Sequence, residues 1–215
     1  MFNQTTLGAC TPILLIDSVA DPTLLRQGRI GAHMPILLHG ASRATALRIL
    51  EGCVALYHEL ADGRRMIVDI LGPGRVLDAS LIDINACKAV TLTLTHIKTI
   101  DPDDDSASTG KAARDMLLRA QVHALLLGRK TAPERVAAAL LDLAHQFAIK
   151  PRPSLTNGRT TFMLYLTRAD LADWLGLTLE TVSRCLCALK RSRLITYNRP
   201  EVITIRNRAA LEALA

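Results

Sequence analysis

The spacing of apolar positions changes twice along the chain. Between residues 30 and 100, short apolar runs recur: Met34–Leu38, Ala46–Leu50, Val54–Tyr57, Met66–Leu71 and Val90–Leu94. Turn residues part them, among them Asp62-Gly63 and Gly72-Pro73-Gly74. Runs of this length bounded by such residues predict strands, and Asp62-Gly63 between two of them predicts a hairpin. Regularly spaced short strands imply a barrel or a double-sheet roll. From Lys111 the period becomes helical. Met116, Leu117, Ala120, Ala124 and Leu127 share one stripe, the signature of an amphipathic helix. Helices are predicted over Lys111–Lys130 and Pro133–Ile149, parted near Thr131 because Pro133 suits a first helical turn. The stripe fits a dimer seam, packing on the chain's own roll, or both along different parts of the helix. Asp101–Gly110 reads as a solvated loop, since Asp103, Asp104 and Asp105 lack the spacing and closing Glu of an EF-hand. Lys150–Arg159, with two prolines and Asn157-Gly158, reads as a linker.

The last 50 residues carry the sharpest local signals. Thr167 is placed to cap a helix over Arg168–Leu175, with Asp170 at N3 as in a capping box. Gly176 ends it as a C′ glycine would. Thr178 caps a second helix to about Ser192, with Glu180 in its first turn. Helix, short Gly-containing turn, helix predicts a helix-turn-helix, with Leu171, Leu175, Leu177, Val182, Leu186 and Leu189 as its small core. Leu194–Tyr197 and Val202–Ile205 predict a hairpin turned by Asn198-Arg199-Pro200, a wing. Asn207 caps a last helix over Arg208–Ala215.

At about 100° per residue, Glu180, Ser183 and Arg184 face away from Val182, Leu186 and Leu189. Their chemistry suits base edges: Arg bonds O6 and N7 of guanine, Glu accepts from the N4 amine of cytosine, and Ser bonds either kind of group. The bland alternative is an ordinary amphipathic helix with an internal Glu180–Arg184 pair at i, i+4.

Charge supports the sharper reading. The chain carries 26 Lys plus Arg against 20 Asp plus Glu, a net +6. Residues 1–150 hold 16 basic and 15 acidic groups, residues 151–215 hold 10 and 5. A basic unit at one end points to a polyanion, nucleic acid being the commonest. Aromatic residues are 3% of the chain, which leaves few platforms for single-stranded bases and favours duplex. No apolar run is long enough to span a membrane. Met1–Cys10 has neither a basic n-region nor an apolar h-region, so a cytoplasmic location is expected.

The stretch Leu166–Leu194, LTRADLADWLGLTLETVSRCLCALKRSRL, resembles the DNA-binding domain of the Crp/Fnr superfamily of bacterial transcription regulators. Its E-T-V-S-R order resembles the Fnr and FixK branch. Leu127–Ala144, LGRKTAPERVAAALLDLA, resembles that branch's hinge, and Ile49–Val76, ILEGCVALYHELADGRRMIVDILGPGRV, its sensor β-roll. The resemblance implies an α+β chain. A cyclic-nucleotide-binding-like β-roll (double-stranded β-helix) would occupy 1–110, a long dimerisation helix 111–132 and a winged helix-turn-helix 133–215. It implies a homodimer on double-stranded DNA, with recognition helices in major grooves about 34–36 Å apart, and RNA polymerase as a further partner. By position, Glu180, Ser183 and Arg184 would read a TTGAT half-site of a TTGAT-N4-ATCAA-like palindrome. Thr167, Arg168, Thr178, Thr181, Lys190 and Arg191 would position the backbone, which fixes register without carrying sequence. The family expectation is a low-oxygen, nitrogen-oxide or nitrogen-fixation programme, with activation or repression left open.

The signal is less legible. Fnr itself holds an iron–sulfur cluster through grouped N-terminal cysteines, and such clusters take four thiolates. Here Cys10, Cys53 and Cys87 are far apart and no CxxC occurs, so no such cluster and no metal site is expected. The cAMP-receptor pattern fails too: Gly74 is followed by Arg75, and Asn85-Ala86-Cys87-Lys88 fills the later segment. Arg75 and Lys88 are read as surface charge before any anion site. No cofactor is expected. The alternative is an effector-gated relative, for example haem-binding, with His33, His39, His58, His96, His123 and His145 as the available axial ligands. Cys187 shares the face of Glu180 and Arg184, among positive charges that favour thiolate, and is a candidate redox switch. Cys185 faces partly inward. An enzyme built on the roll would need convergent His and carboxylates, and no motif supplies them.

Overall fold

The computed structural model describes residues 27–36, 46–78, 87–100, 106–149 and 159–215. Cys10, His39, Asn85, Ala86, Asp103, Asp104, Asp105 and nearly all of the Lys150–Arg159 stretch lie outside them. Among the described residues eight strands come first: β1 (Gln27–Ile30), β2 (Pro35–Ile36), β3 (Ala46–Glu51), β4 (Val54–Glu59), β5 (Arg65–Leu71), β6 (Val76–Asp78), β7 (Cys87–Thr91) and β8 (Thr95–Ile100). They form two antiparallel four-stranded sheets, ordered β1-β8-β3-β6 and β2-β7-β4-β5. Leu47, Ile49, Leu77 and Ile97 of one sheet meet Val54, Leu56, Leu71 and Ala89 of the other in a closed apolar interior. This is the expected double-sheet roll.

The Asp62-Gly63 hairpin forms between β4 and β5, paired from Val54↔Leu71 to Glu59↔Arg65 with a bulge between Leu56 and Tyr57. Gly63 takes φ +82°, where a Cβ is strained, and the Asp62 carboxylate accepts from the Arg64 N–H at 3.0 Å. The run Val90–Leu94 is not one strand. It straddles the end of β7 and the turn into β8, and Leu94 is exposed. The turn has no Gly, Pro, Asn or Asp to betray it; the Thr95 hydroxyl donates to the Thr93 carbonyl at 2.8 Å and supplies the local bond instead.

Helix α1 (Ser106–Arg129) follows. It starts inside the stretch read as a loop, since Gly110 costs a helix only about 1 kcal/mol, a small charge against 24 residues. Then come α2 (Ala132–Phe147), β9 (Thr160–Met163), α3 (Arg168–Leu175), α4 (Leu179–Arg191), β10 (Ile195–Arg199), β11 (Val202–Ile205) and α5 (Arg208–Leu214). β10-β11-β9 make a third antiparallel sheet. The wing's strand runs through Asn198 and Arg199, with a bulge after Thr196, so the turn falls at Pro200-Glu201 rather than Asn198-Arg199-Pro200. The sequence pattern does not predict β9. It lies directly after linker-like residues, yet its Phe162 is wholly buried.

The largest apolar cluster ignores the boundary between roll and C-terminal unit. Cys53, Ala55, Ile67, Ile70 and Leu92 of the roll share it with Leu140, Leu143 and Phe147 of α2 and with Leu171, Trp174 and Leu186 beyond. Two polar clusters cross the same boundary. Arg65 of β5 donates to Asp170 and, at 2.9 Å, to Asp173 of α3. Arg75 pairs with Asp142 of α2 at 2.9 Å, while Asp69 pairs with Arg119 of α1 at 2.9 Å. Burial pushes the Asp69 carboxyl up, and Arg119 and Arg75 pull it back down.

Candidate nucleic-acid interface

The first helix of the C-terminal pair is fixed at both ends. Thr167 accepts from the Asp170 N–H at 3.1 Å, and the Asp170 carboxylate accepts from the Thr167 N–H at 2.9 Å. This is the complete capping box. Gly176 sits in the left-handed region at φ +60°, and its N–H returns to the Ala172 carbonyl, so the chain can turn sharply into α4. Thr178 caps α4, accepting from the Thr181 N–H at 3.2 Å, and the two threonine hydroxyls pair at 2.9 Å.

Arg135, which no sequence motif singles out, holds this turn in place. Its guanidinium donates to the carbonyls of Leu127 (2.8 Å), Lys130 (2.8 Å) and Leu175 (3.0 Å). One α2 side chain therefore ties the end of α1 to the last turn of α3. Its signal in sequence is weak: one charged residue beside Glu134 near the start of the helix.

The α4 wheel is realised. Val182, Cys185, Leu186 and Leu189 are buried. Glu180, Arg184, Cys187 and Lys190 are exposed and Ser183 is half-buried. Glu180 and Arg184 form no ion pair with each other among the described residues. The internal pair of the bland reading is therefore not made, and both side chains keep their hydrogen-bonding capacity. Thr167 is exposed at the start of α3, Arg168 is half-buried beside it and Arg191 is exposed at the end of α4.

The wing closes on this surface. Tyr197 of β10 has the Arg168 guanidinium 5.6 Å from its ring centroid and the Lys190 ammonium 4.3 Å from it. Lys190 also donates to the Tyr197 carbonyl at 2.9 Å. The Cys187 sulfur lies 4.0 Å from the Tyr197 hydroxyl. Cys185 is buried, and burial pushes its thiol up, with Arg184 pulling the other way.

Helix α1 presents two faces. Leu126 is buried, and Met116 and Leu127 are half-buried against the chain; Leu117, Ala120 and Ala124 are exposed. The stripe read from sequence is thus divided between both faces. Leu118, Val122 and Leu125, which the stripe omitted, are exposed by 52%, 65% and 58% alongside Leu117. Their i, i+4, i+7 spacing is that of a helix–helix seam.

On the sensor side, both candidate anion-binding cations are internally engaged. Arg75 is held by Asp142 and the Ile70 carbonyl, and Lys88 by Glu59. His33 lies between β1 and β2, His58 on β4, His96 on β8 and His145 on α2. His123 stacks on Trp174 at 6.2 Å, and burial pushes its pKa down. Cys53 and Cys87 are buried, and burial pushes the Cys53 thiol up. Among the described residues, no group of three or more His, Cys, Asp or Glu is placed to hold a metal, and no helix is long and apolar enough to cross a membrane.

Residues 134–214 match the family model of the Crp-like helix-turn-helix domain. The nitrogen fixation regulation protein FixK of Rhizobium meliloti is 32% identical over 78% of this chain and 76% of its own length. The transcriptional activatory protein AadR of Rhodopseudomonas palustris is 33% identical over 97% and 89%. The structure of FixK2 from Bradyrhizobium japonicum superposes with a TM-score of 0.71 at 30% identity, covering 87% of this chain and 96% of that one.

Proposed function

The chain belongs to the Crp/Fnr family of DNA-binding transcription regulators, FixK-like and not an enzyme, and from that premise we propose how it reads DNA. It acts as a homodimer that recognises a TTGAT-N4-ATCAA-like palindrome through Glu180, Ser183 and Arg184. The observation that carries this is the outer face of α4, where Glu180 and Arg184 stand exposed and unpaired with each other. Thr167, Arg168, Thr178, Thr181, Lys190 and Arg191 surround that face and hold phosphates. α1 supplies the dimer seam, and RNA polymerase is the downstream partner in the cytoplasm. The programme served is that of low oxygen, nitrogen oxides or nitrogen fixation.

DNA binding without an obligatory effector is the favoured form. Arg75 and Lys88, the basic residues available to an anionic effector, are engaged by carboxylates of the same chain. The test is a fluorescence-anisotropy titration of reduced, ligand-free protein on the palindrome and on a scrambled duplex at one salt concentration, because phosphate contacts make such affinities steeply salt-dependent. Tight binding to the palindrome alone is expected. Equal, weak binding to both would reject the half-site or require an effector such as haem.

Cys187 makes that binding oxidisable. Its thiol is exposed on the DNA-facing side of α4, whereas Cys185 is shielded. Oxidation to the sulfinic acid would set a negative group against phosphates, a repulsion of about 1 kcal/mol per contact even in water. Peroxide should therefore weaken wild-type binding by about fivefold or more and leave Cys187→Ser unchanged. Equal behaviour of the two proteins after peroxide would remove the thiol from the mechanism.

A further inference from the structure

We propose that Tyr197 is a positioning residue for DNA binding: its ring gathers Arg168 and Lys190 into one phosphate-holding unit. The proposal deepens the DNA-binding reading and rests on it. Three separate elements meet at this ring: the first turn of α3, the last turns of α4 and the wing strand β10. Arg168 and Lys190 lie far apart in sequence, yet both cationic heads are within cation–π range of the same aromatic ring, at 5.6 and 4.3 Å. Such distances fall within the usual ring-centroid limit of about 6 Å.

Among the described residues, neither cation is held by a carboxylate. Lys190 donates to the Tyr197 carbonyl at 2.9 Å, so both the backbone and the ring of this residue restrain its ammonium. Nη1 of Arg168 is buried and meets no hydrogen-bond acceptor. The aromatic ring restrains the charge without neutralising it. A carboxylate would have competed with phosphate; a ring leaves the positive charge available to one.

Held cations bind phosphate with less side-chain entropy to lose than free ones, since long basic side chains are among the costliest to order. Because phosphate contacts carry no sequence information, loss of the ring should weaken all DNA binding alike and leave discrimination intact. This separates Tyr197 from Glu180, Ser183 and Arg184, whose loss alters discrimination.

The experiment compares wild type, Tyr197→Phe, Tyr197→Leu and Tyr197→Thr. Each is titrated at several salt concentrations against the palindromic and scrambled duplexes. Thermal melts establish folding, and Thr is included because it suits a strand should Leu disturb the wing. Both ringless variants should lose about five- to thirtyfold on both duplexes, by the same factor, in line with two restrained cations per subunit. The steepness of log K against log salt should fall by about 2, as each subunit of the dimer gives up its hold on one phosphate. Tyr197→Phe should restore affinity and slope. Unchanged binding in a folded ringless variant overturns the proposal, as does a loss confined to the palindrome or a failure of Phe to rescue. Wild type that binds neither duplex would instead sink the DNA-binding reading beneath it.

Discussion

Arg184→Ala should abolish the preference for the palindrome while leaving non-specific binding nearly intact. A bidentate Arg–guanine contact is worth about 1–3 kcal/mol of discrimination. A two-fold dimer makes it twice, so the expected loss is about 2–6 kcal/mol on the specific site, from thirtyfold to beyond a thousandfold. The subunit should fold normally, because Arg184 is exposed and forms no ion pair with Glu180. Its charge lies on the face opposite the buried Val182, Leu186 and Leu189. The measurement is the ratio of dissociation constants for palindromic and scrambled duplexes at one salt concentration. A ratio that survives the substitution would move base reading elsewhere on α4. Glu180→Ala should instead relax the preference at a cytosine of each half-site, whose N4 amine a Glu can accept from.

The double substitution Val122→Glu, Leu125→Glu should yield a folded monomer that no longer binds the palindrome tightly. Both side chains are more than half exposed on the single chain, so neither contributes much to the subunit's own core. Across a two-fold seam, each introduced carboxylate would meet apolar partners and its own symmetry mate, and like charges at close range repel. A dimer reads two half-sites one helical turn apart. A monomer keeps one, so affinity should fall toward the non-specific level, a loss on the order of a thousandfold or more. Sedimentation measures the mass, far-UV circular dichroism the fold and anisotropy the binding. A variant that stays dimeric would place the seam on another face of α1, and Met116 and Leu127 would become the residues to test.

The sequence displays most clearly what depends on local chemistry. Thr167, Asp170, Gly176, Thr178 and Asn207 each act within four residues of themselves, as caps or as a left-handed turn, and the helices they bound are those observed. The outer face of α4 is equally legible, because helical geometry alone fixes which residues share it. Features that require distant partners stay hidden. β9 is short and polar at its start, and only pairing with β11 makes it a strand. The turn after β7 relies on a threonine hydroxyl rather than on a turn-forming residue type. Arg75 reads as surface charge, and Arg65 and Arg135 carry no role of their own in the sequence, yet each is engaged by groups far along the chain. The exposed apolar face of α1 is only half legible, for periodicity finds an apolar stripe without saying which part of it the chain's own roll will cover. Tyr197 carries no motif at all; its partners come from two other elements.

The shared apolar cluster has a consequence for dissection of the molecule. Ile67, Ile70 and Leu92 bury themselves together with α2 and the helices after it, and a Cβ on Gly72 would stand 2.7 Å from Phe147. A fragment cut before α2 would present that greasy surface to water, and the roll left behind would do the same. Neither half is therefore expected to fold well alone. In thermodynamic language the chain should unfold as one cooperative unit: a calorimeter should register a single heat-absorption peak, because the strands of the roll and the C-terminal helices share one buried cluster.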